Sequence, residues 1–186
     1  MSDGAEREGA VGTRPDGSGA ADDDAYSGVF SAYPYALRAS DSWLFRSYVA
    51  FGGLVAAVVV VLFAFALVEL IADTTRGAAA TFTFSRAFFV VLMALVVAPL
   101  VAPVLFVARR HRREGGDPRY DRALAAAGYL FVLALYVGLA VSVPPALQED
   151  SPGAVGAFLY SLPRLAGVGP PLAGAALVYL VYRYYR

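Results

Sequence analysis

Ionisable side chains within long apolar stretches are the residues of this sequence best placed to do chemistry. A charge in hydrocarbon is costly, so one that is kept there usually has a task. Three come near: Glu69, Arg86 and Arg164. A carboxylate with a guanidinium partner could couple to an ion. Each, however, lies within a turn or two of the end of its stretch, and the centres of the stretches carry no charge. At that depth they read as headgroup-level residues. Glu69 is expected to pair with Arg86, or otherwise with Arg164, for a gain on the order of 1 kcal/mol.

The densest charge is the run Arg109-Arg110-His111-Arg112-Arg113. Such a cluster attracts phosphate, whether of lipid headgroups or nucleic acid, but a role as a topology signal accounts for it. His111 is the only histidine and reads as a solvated loop residue. There is no cysteine, so neither a Cys/His metal site nor a Ser–His or Cys–His dyad is expected inside the chain's apolar part.

Prolines are the remaining candidates. Pro99 and Pro103 leave the carbonyls of Leu95 and Pro99 without their helical donors, and Pro170-Pro171 does the same around Ala166 and Gly167. Broken helices of this kind build substrate sites in transporters. Such sites also need polar side chains near the freed carbonyls, and residues 87–108 offer none. Kinking is the simpler reading. Catalytic, cofactor-binding and metal-ligating residues are therefore assigned to none of these positions, and the chain reads as non-enzymatic and without a cofactor.

What must hold these residues is a membrane bundle. Of the 186 residues, 59% are hydrophobic and only 16% charged, which excludes an ordinary soluble domain. A hydrocarbon core needs about 20 apolar residues in a helix. Four stretches meet this, giving helices at about 44–71, 85–107, 118–143 and 162–183. Ser40, Asp41 and Ser42 are N-cap types before the first, and Gly115-Gly116-Asp117-Pro118 reads as a turn and N-cap before the third. Pro144-Pro145 ends the third, and Ser161-Leu162-Pro163 resembles the start of the fourth. The stretch 153–160 reads as an interfacial half-helix. Small residues four apart (Gly52/Ala56, Gly53/Ala57, Ala123/Ala127, Ala134/Gly138, Gly169/Ala173) suit close packing between helices of one chain better than a dimer face.

Arginine sets the orientation. With four spans, Arg7, Arg14, Arg38 and Arg46, the six arginines of the connection at 109–122, and Arg183 and Arg186 all fall on one side. Arg76, Arg86 and Arg164 fall on the other. That bias places both termini in the cytoplasm. Tyrosine, phenylalanine and Trp43 cluster at the ends of the spans, as interfacial anchors do.

Residues 1–32 form a separate segment before the transmembrane domain at 33–186. Seven acids lie in the first 25 residues among Gly, Ala and Ser, too little apolar surface to offset ordering entropy. This tail is expected to be disordered. The apolar run begins only after some forty hydrophilic residues, so the first span reads as an uncleaved anchor rather than a signal peptide. Every one of the 15 basic residues is arginine, and Asp outnumbers Glu. With the acidic tail, this composition resembles small four-span membrane proteins of halophilic archaea whose function is unknown. The resemblance is one of style and layout over the whole chain and implies no site residues.

The sequence thus predicts an all-α polytopic membrane protein with four transmembrane helices and both termini inside. It reads as a plasma-membrane structural or accessory component whose partners are membrane lipid and a protein, engaged through the N-terminal tail or the 109–122 connection. An oligomer is compatible with this; nucleic acid is not an expected partner. The alternative is a small transporter or channel subunit with proline-kinked second and fourth helices.

Overall fold

The computed structural model describes residues 29–74, 79–148, 150 and 152–185, with side chains from 32 to 72 and from 86 onward. The acidic tail, and the disorder expected of it, lie outside the described residues. The described residues form six α-helices: α1 Val29–Ala39, α2 Trp43–Thr74, α3 Ala79–Glu114, α4 Pro118–Val141, α5 Ala154–Ser161 and α6 Gly169–Tyr184. Short 3₁₀ turns at Pro145–Leu147 and Arg164–Val168 join the last three, and no strand occurs among the described residues. Four helical segments, Trp43–Ala72, Arg86–Glu114, Pro118–Val141 and Arg164–Tyr184, are long and apolar enough to cross a membrane. This suits a multi-pass membrane protein.

Helix α4 is the hub. It packs on α2, α3, α5, α6 and the Arg164–Val168 turn, and is the most buried of the spans. Its start is set as expected. The Asp117 side chain caps the helix by accepting from the Arg119 amide, with Pro118 at the first position, where a missing N–H costs nothing. Ser42 Oγ likewise accepts from the Phe45 amide at 3.4 Å to open α2.

Helix α2 shows an apolar surface almost all round, with Leu62, Phe65 and Val68 exposed. In water this would be a liability; in hydrocarbon it is the expected surface. At 32 and 36 residues, α2 and α3 exceed a bilayer core of about 30 Å. Their ends therefore extend beyond the hydrocarbon.

Two boundary expectations need correction. First, α3 does not stop near 107. It continues to Glu114, so Arg109–Arg113 are its last turns rather than a loop. Arginine is a good helix former, and nothing interrupts the ladder until Gly115 takes φ +87°, the left-handed geometry that ends many helices. Second, the fourth span is not one α-helix with prolines in its interior. Pro170 and Pro171 occupy the first turn of α6, where proline is favoured, and the chain before them is a 3₁₀ turn. Ser161-Leu162-Pro163 both closes α5 and leads into the fourth span, whose 3₁₀ turn Pro163 caps. The half-helix expected at 153–160 is present as α5, with no buried residue.

Helix α1 has no counterpart in the sequence reading, and its start at Val29 lies inside the segment assigned to the tail. Ala32 and Ala36, one turn apart, are fully buried. They join Phe45, Tyr48 and Val49 of α2, Val104, Val107 and Ala108 of α3, and Tyr120, Leu124 and Ala125 of α4 in one core.

Candidate functional site at the arginine-rich end

The ends of α1, α3, α4 and α6 meet at one face of the bundle, and the built polar structure among the described residues is concentrated there. At its centre is Asp121, in the first turn of α4 and only 1% exposed. A carboxylate so placed is costly unless its lone pairs are filled. Ser40 Oγ, in the α1–α2 connection, donates to Asp121 Oδ2 at 2.5 Å. His111, in the last turn of α3, brings Nε2 to 3.0 Å from both carboxylate oxygens. The Ser40 hydroxyl also accepts from the Ser42 amide at 3.2 Å. One carboxylate thus ties three chain segments together.

This overturns the solvated-loop reading of His111. Its side chain is 5% exposed, because α3 extends far enough to lay the imidazole under Gly116, where an added Cβ would come within 3.1 Å of the ring. Serine, histidine and aspartate are all present, yet not in the order that activates a nucleophile, which needs the imidazole on the serine. Here Ser40 donates to the carboxylate and is 2% exposed, closed to any substrate. The arrangement is a clasp.

Arg110, adjacent to His111, serves the other side of α3. Its Nη1 donates to the Tyr185 carbonyl at 3.1 Å, one of the last carbonyls of α6. Its guanidinium lies 4.4 Å from the Tyr120 ring centre and within ion-pair range of Glu114, at 3.4 Å, and Asp117, at 3.8 Å. Its Nε is buried and makes no hydrogen bond. Tyr182 stacks on Phe106 with centroids 4.1 Å apart, and Tyr120 meets Tyr185 edge-on at 5.9 Å. Between these rings lies a small pocket of about 80 Å³, edged by Arg109, Arg110 and Arg113. Arg109 and Arg113 stand one turn apart and have no acidic partner among the described residues. Two like charges at that spacing repel each other mildly.

Deeper in the bundle, Tyr48 reaches α3 next to its prolines. Its hydroxyl donates to the Leu100 carbonyl at 2.7 Å, beside the Pro99 carbonyl that Pro103 leaves without its helical donor. The ring fits because Gly128 of α4 has no side chain; a Cβ there would overlap the Tyr48 ring. The one side-chain hydrogen bond to this stretch of α3 among the described residues thus comes from α2, and its acceptor is the Leu100 carbonyl rather than a proline-freed one. Ser47 bonds the Tyr129 hydroxyl at 2.9 Å nearby. On α1, outside the spans, Tyr33 packs over Gly53, and burial raises its phenol above the ordinary value of 10.

At the opposite end the ion pair expected of Glu69 does not form. Among the described residues Glu69 forms no ion pair, with Arg86, Arg164 or any other cation. Its side chain is exposed on α2, where headgroup water solvates it more cheaply than a fixed pair would. Arg164 is exposed at the start of its 3₁₀ turn.

Sequence reasoning missed Ser40, Asp121 and Tyr48. One signal was available for Asp121: it shares the apolar stripe of Leu124, Ala125 and Gly128 at helical spacing. Among the described residues no group of three or more potential metal ligands occurs.

No curated protein matches the chain, and neither does any solved structure. A family model does match, over residues 5–186. With nearly its whole length covered, the chain belongs to the family described as Domain of unknown function (DUF8056).

Proposed function

We propose that this protein is a non-enzymatic structural or accessory component of the plasma membrane, acting through its arginine-rich end on a partner protein or on lipid. The observation that carries the reading is the convergence of four helix ends on one clasped polar face. The Asp121 clasp fixes that face from within, and Arg109 and Arg113 edge it without acidic partners among the described residues. With four spans, twelve of the 15 arginines in the sequence count to this side, and that bias supports the orientation. The positive-inside tendency makes that side cytoplasmic. Total absence of lysine and the acidic first 25 residues support a halophilic-archaeal origin.

A direct test compares the wild type with Arg109→Ala/Arg113→Ala, each purified in mild detergent. We expect a specific protein or tightly held anionic lipid to accompany the wild type and to be lost from the double variant. Identical co-purifying species from both would contradict the reading.

The alternative, a small transporter or channel subunit, has less support. Pro170 and Pro171 begin a helix instead of breaking one, and residues 87–108 carry no polar side chain to line a site at the carbonyls that Pro99 and Pro103 free.

A further inference from the structure

The spans close tightly on one another in the part of the bundle nearer the arginine-rich end. Past the core of α1–α4 residues comes a second one of Ala56, Leu100, Ala127, Phe131 and Val178. Beyond it a groove of about 460 Å³ lies between the α2–α3 pair and the α4–α6 pair. Phe63, Leu95, Leu135, Leu139, Val168 and Leu172 are among its walls, and Phe131, 1% exposed, stands at its inner end with the second core behind it. The groove is therefore blind toward the arginine-rich end, and offers no passage across the membrane.

Its lining has one polar side chain, Ser142, whose hydroxyl is already committed to the Gly138 carbonyl at 2.8 Å. A polar guest would find no partner there, whereas hydrocarbon loses nothing on entry. The space is of the size that takes a small apolar ligand.

The rim adds a charge. Arg164 precedes the lining residue Gly167 by three positions in the 3₁₀ turn Arg164–Val168. At three residues per turn the two share a face, with Arg164 about 6 Å further out. It is exposed and has no acidic partner among the described residues. An arginine at headgroup depth over an apolar groove complements an amphiphile with an anionic head.

We infer that this groove binds one hydrocarbon chain of an anionic phospholipid from the leaflet opposite the arginine-rich end, with the headgroup phosphate on Arg164. The site is separate from the one proposed above, so either assignment can fail without the other.

The test is native mass spectrometry of the full chain in mild detergent with added phosphatidylglycerol or phosphatidylcholine. We expect one phosphatidylglycerol to stay bound at collision energies that strip phosphatidylcholine. Val168→Trp and Leu172→Trp fill the groove from positions 54% and 50% exposed, where folding should tolerate them. Each should cut the adduct at least fivefold, while Val61→Trp, 52% exposed and outside the groove, should not. Arg164→Ala should bring phosphatidylglycerol retention down to the phosphatidylcholine level. In parallel, phosphatidylglycerol with a photoreactive acyl chain should label wild-type α4 at 135–139. Retention unchanged by the groove variants, equal loss in Val61→Trp, or labelling spread over exposed α2 would overturn the site. A dimer peak replacing the lipid adduct would assign the groove to a second copy and likewise overturn it. Preference for phosphatidylglycerol that survives Arg164→Ala would overturn the phosphate assignment.

Discussion

Ser40 and Asp121, 81 positions apart in the chain, are joined by a hydrogen bond of 2.5 Å with both side chains buried. The bond places the α1–α2 connection against the first turn of α4, and His111 completes the contact from α3. Local propensity brings none of these segments together. The carboxylate does, because burial leaves it no other source of donors.

Removing the carboxylate should therefore cost more than removing either donor. Asp121→Ala should destabilise the detergent-solubilised protein by about 3 kcal/mol, since it leaves two buried donors without an acceptor. Ser40→Ala and His111→Ala should each cost roughly 1–3 kcal/mol. Thermal melts of the singles and pairs would check this; costs that simply add would contradict a shared network.

The Tyr48 contact gives a second prediction. Tyr48→Phe removes only the hydroxyl bond to the Leu100 carbonyl and should cost about 1 kcal/mol. Gly128→Ala should cost more, because the new methyl meets the Tyr48 ring itself and forces it from its notch. In the Gly128→Ala background, Tyr48→Phe should have little further effect. A full, undiminished loss there would contradict the coupling.

Glycine positions along the groove wall separate close approach from mere flexibility. A Cβ at Gly138 would run into the Gly167 carbonyl and Pro171, and one at Gly167 into Ser142 and the Gly138 carbonyl. Gly153 and Gly169 have open space around them at negative φ. Alanine at 138 or 167 should lower the melting temperature by several degrees, while alanine at 153 or 169 should leave it almost unchanged. Equal shifts at all four would contradict the packing of α4 against the Arg164–Val168 turn.

The spans were legible in the sequence because bilayer thickness fixes their length, so unbroken apolar runs such as 49–68 read directly as helix. Asp117-Pro118 marked the start of α4 because that pair has one helical meaning. Pro170-Pro171 did not, since proline both bends helices and begins them, and the 3₁₀ turn before it leaves no periodic signal. The clasp was hidden for a related reason. Reading Arg109–Arg113 as a loop put His111 in water, and only continuation of α3 to Glu114 turns it toward Asp121. Helix α1 was obscured because Pro34 sits inside it and its buried face shows only Ala32 and Ala36.

The central claim is that the arginine-rich end is a single cytoplasmic face. The native chain has no cysteine, so single substitutions report without background. Arg119→Cys lies at that end, exposed, and Gly153→Cys at the other, in open space. Intact cells would be treated with a membrane-impermeant maleimide and then lysed for a second labelling. The account predicts that Gly153→Cys reacts before lysis and Arg119→Cys only after it. Labelling of Arg119→Cys in intact cells with Gly153→Cys protected would contradict it.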